Sequence, residues 1–373
     1  LLEEVKLQLT GAFKIMQSFK NHLTAQAINF NDSFFPAKLK KGTDKLATIS
    51  AKLKKWITWR FNQLLSLPSQ IAWWVSKIPF VEENILYPRY QKALQEHESQ
   101  LPILDSMESK IVDELERNGI CITSLETLGL PNTSEFFESA KSLVQELRAI
   151  SLLPESGGKY EILTTSEQLI EHKEVFKWGY NEQLLKIVEK YLGLPIAYDG
   201  LLFVKSIADG REIGPRAWHR DRECRKMIKV GVYLNDVTEE GGPFQCLQPE
   251  FNSEFCSGVK HRYKSIFNEE LQTRYPEQSQ EITTCTGKAG TVFFVDTAKY
   301  YHRGQPPTKF NRNAIFFSYF SRRPWHPFFC QRAPFSQEQL NQLTAKASTH
   351  QRNCINWKET LPWFVRWIPR SRI

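Results

Sequence analysis

His219 and Asp221 stand two residues apart in AWHRDRECRK (217–226), where four of ten residues are Arg or Lys. In an extended chain, alternate side chains share a face, so both can reach one ion. On its own the pair reads more readily as a solvent-facing salt bridge in a charged turn. Two further residues narrow the choice. His302 lies 81 residues beyond Asp221, after GTVFFVD, and Arg312 follows ten residues later at the start of NRNAIFFSYF. Two imidazoles and one carboxylate occupy one face of a metal ion and leave three positions open, the donor set of non-haem Fe(II) oxygenases. Zinc takes the same ligand types. A 2-oxo acid fills two of the open positions through its C1 carboxylate and keto oxygen, and O2 fills the third. The far carboxylate of 2-oxoglutarate then needs a cation, and an arginine fork offers two parallel charge-assisted hydrogen bonds.

Such a constellation needs rigid strands beneath it. LLFVKSI (201–207), MIKVGVYLND (227–236), GTVFFVD (290–296) and AIFFSYF (314–320) are short runs of apolar, β-branched and aromatic residues, separated by turns such as EEGGP (239–243). They predict an antiparallel β-sandwich or barrel. The H-x-D pair precedes the second run and His302 follows the third, so the metal ligands collect at a barrel mouth. From about 83 to 150 the chain predicts helices. SMESKIVDELERNG (106–119) starts at a serine cap and ends at a glycine, ICITSL forms a short strand, and EFFESAKSLVQELRAI (135–150) is amphipathic. Helical, polar sequence returns from about 336.

The chain of 373 residues is long enough for one large domain with extensions, and its 41% hydrophobic content is that of a globular protein. Seven cysteines, none in a CxxC pair, fit reduced thiols in a cytoplasmic protein. No run of 18 apolar residues predicts a membrane span. The net charge of +8 is uneven. Residues 1–80 carry twelve Lys/Arg against four Asp/Glu, and the other 293 residues hold 37 of each sign. The segment 46–65 predicts an amphipathic helix with Trp56 and Trp59 beside Lys52, Lys54, Lys55 and Arg60. IAWWVSKIPF (71–80) and LPWFVRWIPRSRI (361–373) share its mixture of Trp, apolar and basic residues. Peripheral membrane contact through 46–80 and 361–373 is one reading; a helix packed on its own domain with a solvated basic face is the other. No nucleic-acid-binding motif is found, and no nucleic-acid partner is expected.

The stretch from about 105 to 325 resembles the phytanoyl-CoA dioxygenase family of Fe(II)/2-oxoglutarate oxygenases. The resemblance is carried by SKIVDELERNGICI, HRD, KVGVYLNDVTEEGGPF, GTVFFVDTAKYYHRG and RNAIFFSYF. It implies a mainly β fold with flanking helices (α+β): a double-stranded β-helix, jelly-roll-like, here with a helical N-terminal extension. The domains expected are residues 1–80 as that extension, 81–335 as the oxygenase domain and 336–373 as a Trp-rich tail. The resemblance implies His219, Asp221 and His302 as iron ligands, Arg312 as the 2-oxoglutarate clamp, and Lys205 as a second co-substrate contact. It further implies Fe(II), 2-oxoglutarate and O2 as the reactants that oxidise a small-molecule substrate. Relatives that halogenate carry a small residue where Asp221 stands, so the carboxylate points to hydroxylation. Where many relatives read Pro-Gly-Ser-His after the GGP turn, this chain reads LQPEFN (247–252), which leaves the substrate open. Arg216 and Arg303 are expected at the mouth, either as a positive rim for an anionic substrate or as a solvated rim paired with Asp209, Glu212 and Glu223. The rival function is a non-catalytic barrel docked through its basic N-terminal arm.

Overall fold

The fold is seen in a computed structural model, which describes residues 67–68, 71–76, 78–247, 265–327, 330 and 335–366. The chain divides into compact units of residues 1–64 and 65–373, and every described residue belongs to the second. The helix expected at 46–65, the loop residues 248–252 and the tail 367–373 lie outside the described residues.

In chain order the principal elements are α1 (Tyr87–His97), α2 (Ser106–Asn118), β1 (Ile120–Ser124), α3 (Thr133–Ser151), β2 (Glu161–Leu163) and α4 (Glu182–Leu192). There follow β3 (Ile196–Ser206), β4 (Met227–Tyr233), β5 (Phe244–Leu247), β6 (Ile282–Cys285), β7 (Thr291–Asp296), β8 (His302–Gly304), β9 (Arg312–Ser321), α5 (Gln337–Leu343) and α6 (Thr349–Ile355). The helix at 106 is capped one residue earlier than the sequence predicts. Asp105 accepts from the Glu108 N–H at 2.8 Å while the Glu108 carboxylate accepts from the Asp105 N–H at 3.0 Å. Ser106 is then the first helical residue. Gly119 closes the helix at φ 72°, and a Cβ there would overlap the Tyr300 ring, so glycine meets both demands.

A six-stranded sheet in the order β1-β7-β4-β9-β3-β2 packs against a three-stranded sheet in the order β6-β5-β8, and every pairing is antiparallel. One face of the larger sheet presents Leu201, Phe203, Val230, Ile315 and Phe317 to α2, α3 and α4. The other face presents Val204, Tyr233, Phe293, Val295 and Ala314 to Phe244, Cys246 and Cys285 of the smaller sheet. Burial on both faces explains why the long strands read as nearly continuous apolar runs rather than alternating ones. The antiparallel two-sheet core with helices on its outer face is the double-stranded β-helix architecture with flanking helices.

At the N-terminal end of the described unit, Trp73 is buried. Its ring meets His326 edge-on at 4.5 Å, and the Arg222 guanidinium lies 6.0 Å from its centroid. Residues 71–76 therefore pack on the loop that carries the H-x-D pair, while Ile71, Trp74 and Phe80 stay exposed. Among the described residues, no helix is long and apolar enough to cross a membrane.

Candidate metal centre

His219 leaves a short 3-10 turn (Gly214–Arg216) and bridges His302 at the start of β8. The His219 N–H donates to the His302 carbonyl at 3.0 Å, and the His302 N–H returns the bond at 2.9 Å. The Asp221 N–H donates to the Thr297 carbonyl at 2.8 Å, which pins the other end of the pair. The backbone from 219 to 221 is thus extended and fixed at both ends, and the two side chains fall on one side of it. His219, Asp221 and His302 each offer a ligand atom, and these atoms lie within 4.8 Å of one another. The imidazole centroids are 4.3 Å apart, and His302 Nε2 is 3.9 Å from Asp221 Oδ2.

The tautomers are set locally. His219 Nδ1 lies 2.8 Å from the Ala217 carbonyl and His302 Nδ1 lies 3.2 Å from the Tyr300 carbonyl. A carbonyl accepts only, so each Nδ1 carries the proton and each Nε2 keeps its lone pair. His302 Nε2 is buried without a hydrogen-bond partner. Burial, and then the neighbouring His219, hold the His302 pKa well below the ordinary imidazole value, with Asp221 opposing. Its resting form is the neutral one that binds metal. An orphaned lone pair beside a second imidazole and a carboxylate fits a divalent cation, so the donor set passes the chemical test for one.

A cavity of about 70 Å³ opens from these ligands between the two sheets. Its walls include Leu202, Val204, Phe244 and Phe316, and Phe244 stacks on His302 at 5.6 Å. Arg312 opens β9 at one end of the cavity. Ser318, six residues along the same strand, pairs with Lys229 at the other. Arg312 is 2% exposed, and its Nε and Nη1 are buried without hydrogen-bond partners. A Cβ on Gly304 would overlap Arg312 Nη2, so glycine at 304 leaves room for the guanidinium. Burial lowers the Arg312 pKa, opposed by Tyr233 and Glu161, while burial raises that of the adjacent Glu161 carboxyl.

Three expected contacts are placed elsewhere. Lys205 alternates on β3 with Val204, which lines the cavity, so Lys205 turns to the helical face. There burial, and then Arg148 of α3, lower its pKa. It does not meet the cavity. Arg216 is fully buried rather than on a rim. It donates to Asp209 at 2.6 Å, to the carbonyls of Tyr160 at 2.5 Å and Ile207 at 2.9 Å, and to Ser206 Oγ at 3.2 Å. Arg303 faces away from His302, its neighbour on β8. It donates to Gln245 at 2.8 Å and Glu212 at 3.3 Å, with its guanidinium 4.6 Å from the Trp218 centroid. The partners of Arg216 and Arg303 include Asp209 and Glu212, but both arginines are buried instead of forming a solvated rim.

Lys229 escaped the sequence reading. Its Nζ lies 2.5 Å from Asp221 Oδ2. The signal was present, because Lys229 sits in the inward register of β4 with Gly231 and Tyr233, between the outward Ile228 and Val230. A cation in that register of a doubly buried strand needs a buried anion.

No family model and no curated protein sequence matches the chain. Solved structures similar to it include the non-haem α-ketoglutarate-dependent epimerase SnoN from nogalamycin biosynthesis, at 14% identity and TM-score 0.40, over 58% of this chain and 84% of that one. EctD from S. alaskensis, solved with 2-oxoglutarate and 5-hydroxyectoine, is 15% identical with TM-score 0.42, over 63% and 87%. HygX from Streptomyces hygroscopicus, solved with nickel and 2-oxoglutarate, is 15% identical with TM-score 0.38, over 59% and 88%.

Proposed function

We propose that this chain is an Fe(II)- and 2-oxoglutarate-dependent oxygenase that hydroxylates an unactivated C–H bond of a small substrate, with release of succinate and CO2. The observation that carries the reading is the pairing of two unmet demands in one cavity: an orphaned, buried His302 lone pair among three ligand groups, and a buried Arg312 guanidinium with free N–H groups. His219, Asp221 and His302 would hold the iron, which when bound supplies the activation of O2 and the chemistry of keto-acid decarboxylation.

The chain's own residues supply position and exclusion. The carbonyls of Ala217 and Tyr300 keep both imidazoles turned with Nε2 toward the centre. Arg312 would receive the distal carboxylate of 2-oxoglutarate through two parallel N–H groups, which fixes the length and direction of the co-substrate. Phe244, Phe316, Leu202 and Val204 form apolar walls that keep water from the reacting atoms. Lys229 holds the Asp221 carboxylate in its present rotamer and adds positive charge to the cavity wall. Asp221 as a carboxylate supports hydroxylation over halogenation. Peripheral membrane contact of the N-terminal segment belongs to the same proposal and is supported by the charge excess of residues 1–80.

The test is anaerobic. Fe(II) followed by 2-oxoglutarate is added to metal-free protein, and the visible charge-transfer band of a chelated keto acid is followed. The expected result is a band in the wild type, none in Asp221→Ala, and one that needs about tenfold or more 2-oxoglutarate in Arg312→Ala, from the loss of charge-assisted hydrogen bonds. Iron that washes off the wild type, with no band, would return HRD to the status of a charged turn.

A further inference from the structure

A second and larger cavity carries charge that the metal centre does not use. It measures about 660 Å³ and lies where α1 crosses the end of β9. Its walls carry four arginines, Arg89, Arg225, Arg322 and Arg323, against one carboxylate, Glu96, together with the rings of Tyr90 and Trp325. The carboxylates nearby do not balance them. Glu82 lies 2.5 Å from Arg225 Nη1, and Glu96 faces Lys92 at 3.7 Å. The Arg225 guanidinium is packed among aromatic rings, 4.3 Å from the Trp325 centroid, 5.3 Å from Tyr90 and 5.7 Å from Tyr87. Even so, its Nη2 and the Nε of Arg322 are buried with no hydrogen-bond partner.

Buried guanidinium N–H groups without acceptors are destabilising, and an anion in the cleft would relieve them. Concave walls of low polarity focus the positive field and strengthen that attraction. Flat rings beside the cations suit a planar or apolar body attached to the anion. The cleft is separate from the metal centre. None of its lining residues borders the smaller cavity.

We propose that this cleft is a second ligand site, which binds a small molecule bearing a phosphate or carboxylate on a flat apolar body. The guanidinium groups of Arg225, Arg322 and Arg323 hold the anion, and Tyr90 and Trp325 flank the body. The site stands whether or not the metal centre holds iron.

Calorimetric titration of the full-length protein at low ionic strength tests it with phenyl phosphate, benzoate and benzyl alcohol as probes. The expected result is saturable binding of at least one anion and none of the alcohol, and the stronger of the two anions identifies the head group. Affinity falls at least about tenfold in the double variant Arg322→Gln/Arg323→Gln and weakens as salt is added. Arg323 is exposed, so Arg323→Gln alone serves as the variant that leaves the fold intact, with a smaller loss of affinity expected. Equal binding of the alcohol, no saturation by either anion up to about 10 mM, or binding indifferent to the arginine substitutions would each overturn the proposal. Anion binding lost in Arg312→Met and kept in Arg322→Gln/Arg323→Gln would place the anion in the metal cavity and overturn it as well.

Discussion

At the scale of single residues, the site divides into groups that face the cavity and groups one position away that do not. Gly304 and Lys205 make the contrast testable. A methyl group on residue 304 would collide with Arg312 Nη2, so Gly304→Ala should displace the clamp and raise the 2-oxoglutarate concentration for half-maximal charge-transfer signal about tenfold, near the effect of weakening one charged hydrogen bond. Lys205→Met, on the opposite face of β3, should leave that concentration within about twofold. The same titration checks both, and a large effect at Lys205 would restore it as a co-substrate contact. The H-x-D pair, His302 and Arg312 were legible in the sequence from their order and spacing: the pair is two residues apart and so shares a face of extended chain, and His302 and Arg312 follow in turn between the apolar runs of β7 and β9. Arg216 and Arg303 were not legible in the same way. Asp209 and Glu212 stood among their candidate partners, but the Tyr160 carbonyl reaches Arg216 across a turn with no periodic trace, and Gln245 reaches Arg303 only through the pairing of two strands too short to show a pattern. Lys229 is legible in principle from its inward register on β4, where the apolar residues on either side of it mask the signal.

Elements show the same division between what is periodic and what is local. The strands β3, β4, β7 and β9 were visible as apolar runs because both faces of the large sheet are covered. β2, β5, β6 and β8 are three or four residues long, too short to show a pattern, and β8 owes its place to its pairing with β5. One clasp holds the β2–β3 corner. Arg216 ties Tyr160, Ser206, Ile207 and Asp209 together, and the hydrogen bonds from Arg211 and Arg216 hold the Asp209 carboxyl below its ordinary pKa although burial opposes them. Arg216→Met should lower the unfolding free energy by about 3 kcal/mol or more, the cost of breaking a buried ion pair from one side, as read in urea. Unchanged stability would mean the side chain is available to a ligand instead. A second junction joins three helices. His350 of α6 lies 2.9 Å from Glu182 and 3.2 Å from Glu189 of α4, and Glu189 also meets His97 of α1 at 2.9 Å. The Cys354 thiol contact first, and then these carboxylates, push the His350 pKa up to about 11. Hydrogen bonds from His350 and His97 lower that of Glu189 against the effect of burial. The raised histidine stabilises the fold fully below its ordinary value near 6.5 and loses that contribution as pH rises toward about 11. The lowered carboxyl contributes fully above its ordinary value near 4.5 and loses that as pH falls. His350→Gln should therefore reduce the thermal midpoint most near pH 5 to 6, by the equivalent of at most about 1 kcal/mol for so exposed a pair. The gap between variant and wild type should close at alkaline pH, and a gap independent of pH would exclude the ionic linkage.

At the scale of the whole molecule the charge distribution is the least absorbed feature. The entire excess of +8 lies in residues 1–80, and the remaining 293 residues are balanced. A neutral body with a positive segment is drawn to an anionic surface by that segment alone, and the attraction decays over a Debye length of about 8 Å at physiological salt. The described part of the boundary adds apolar surface, because Ile71, Trp74 and Phe80 are exposed while Trp73 anchors the stretch to the loop of the metal ligands. A membrane contact there would seat the bilayer beside that loop, a geometry suited to a substrate drawn from the lipid phase. Full-length protein should sediment with vesicles of phosphatidylserine and phosphatidylcholine, less so as salt rises, and weakly with phosphatidylcholine alone. Removal of residues 1–64 takes away eleven of the twelve Lys/Arg and all four acidic residues of the first 80 and should abolish the salt-sensitive part. Trp74→Ser/Phe80→Ser should reduce whatever residual binding persists at high salt, by about 1.5–3 kcal/mol for each large apolar side chain withdrawn from the interface. Equal sedimentation of full-length and shortened protein would remove the membrane from the account, and the basic segment would then be a solvated face or the seat of a protein partner.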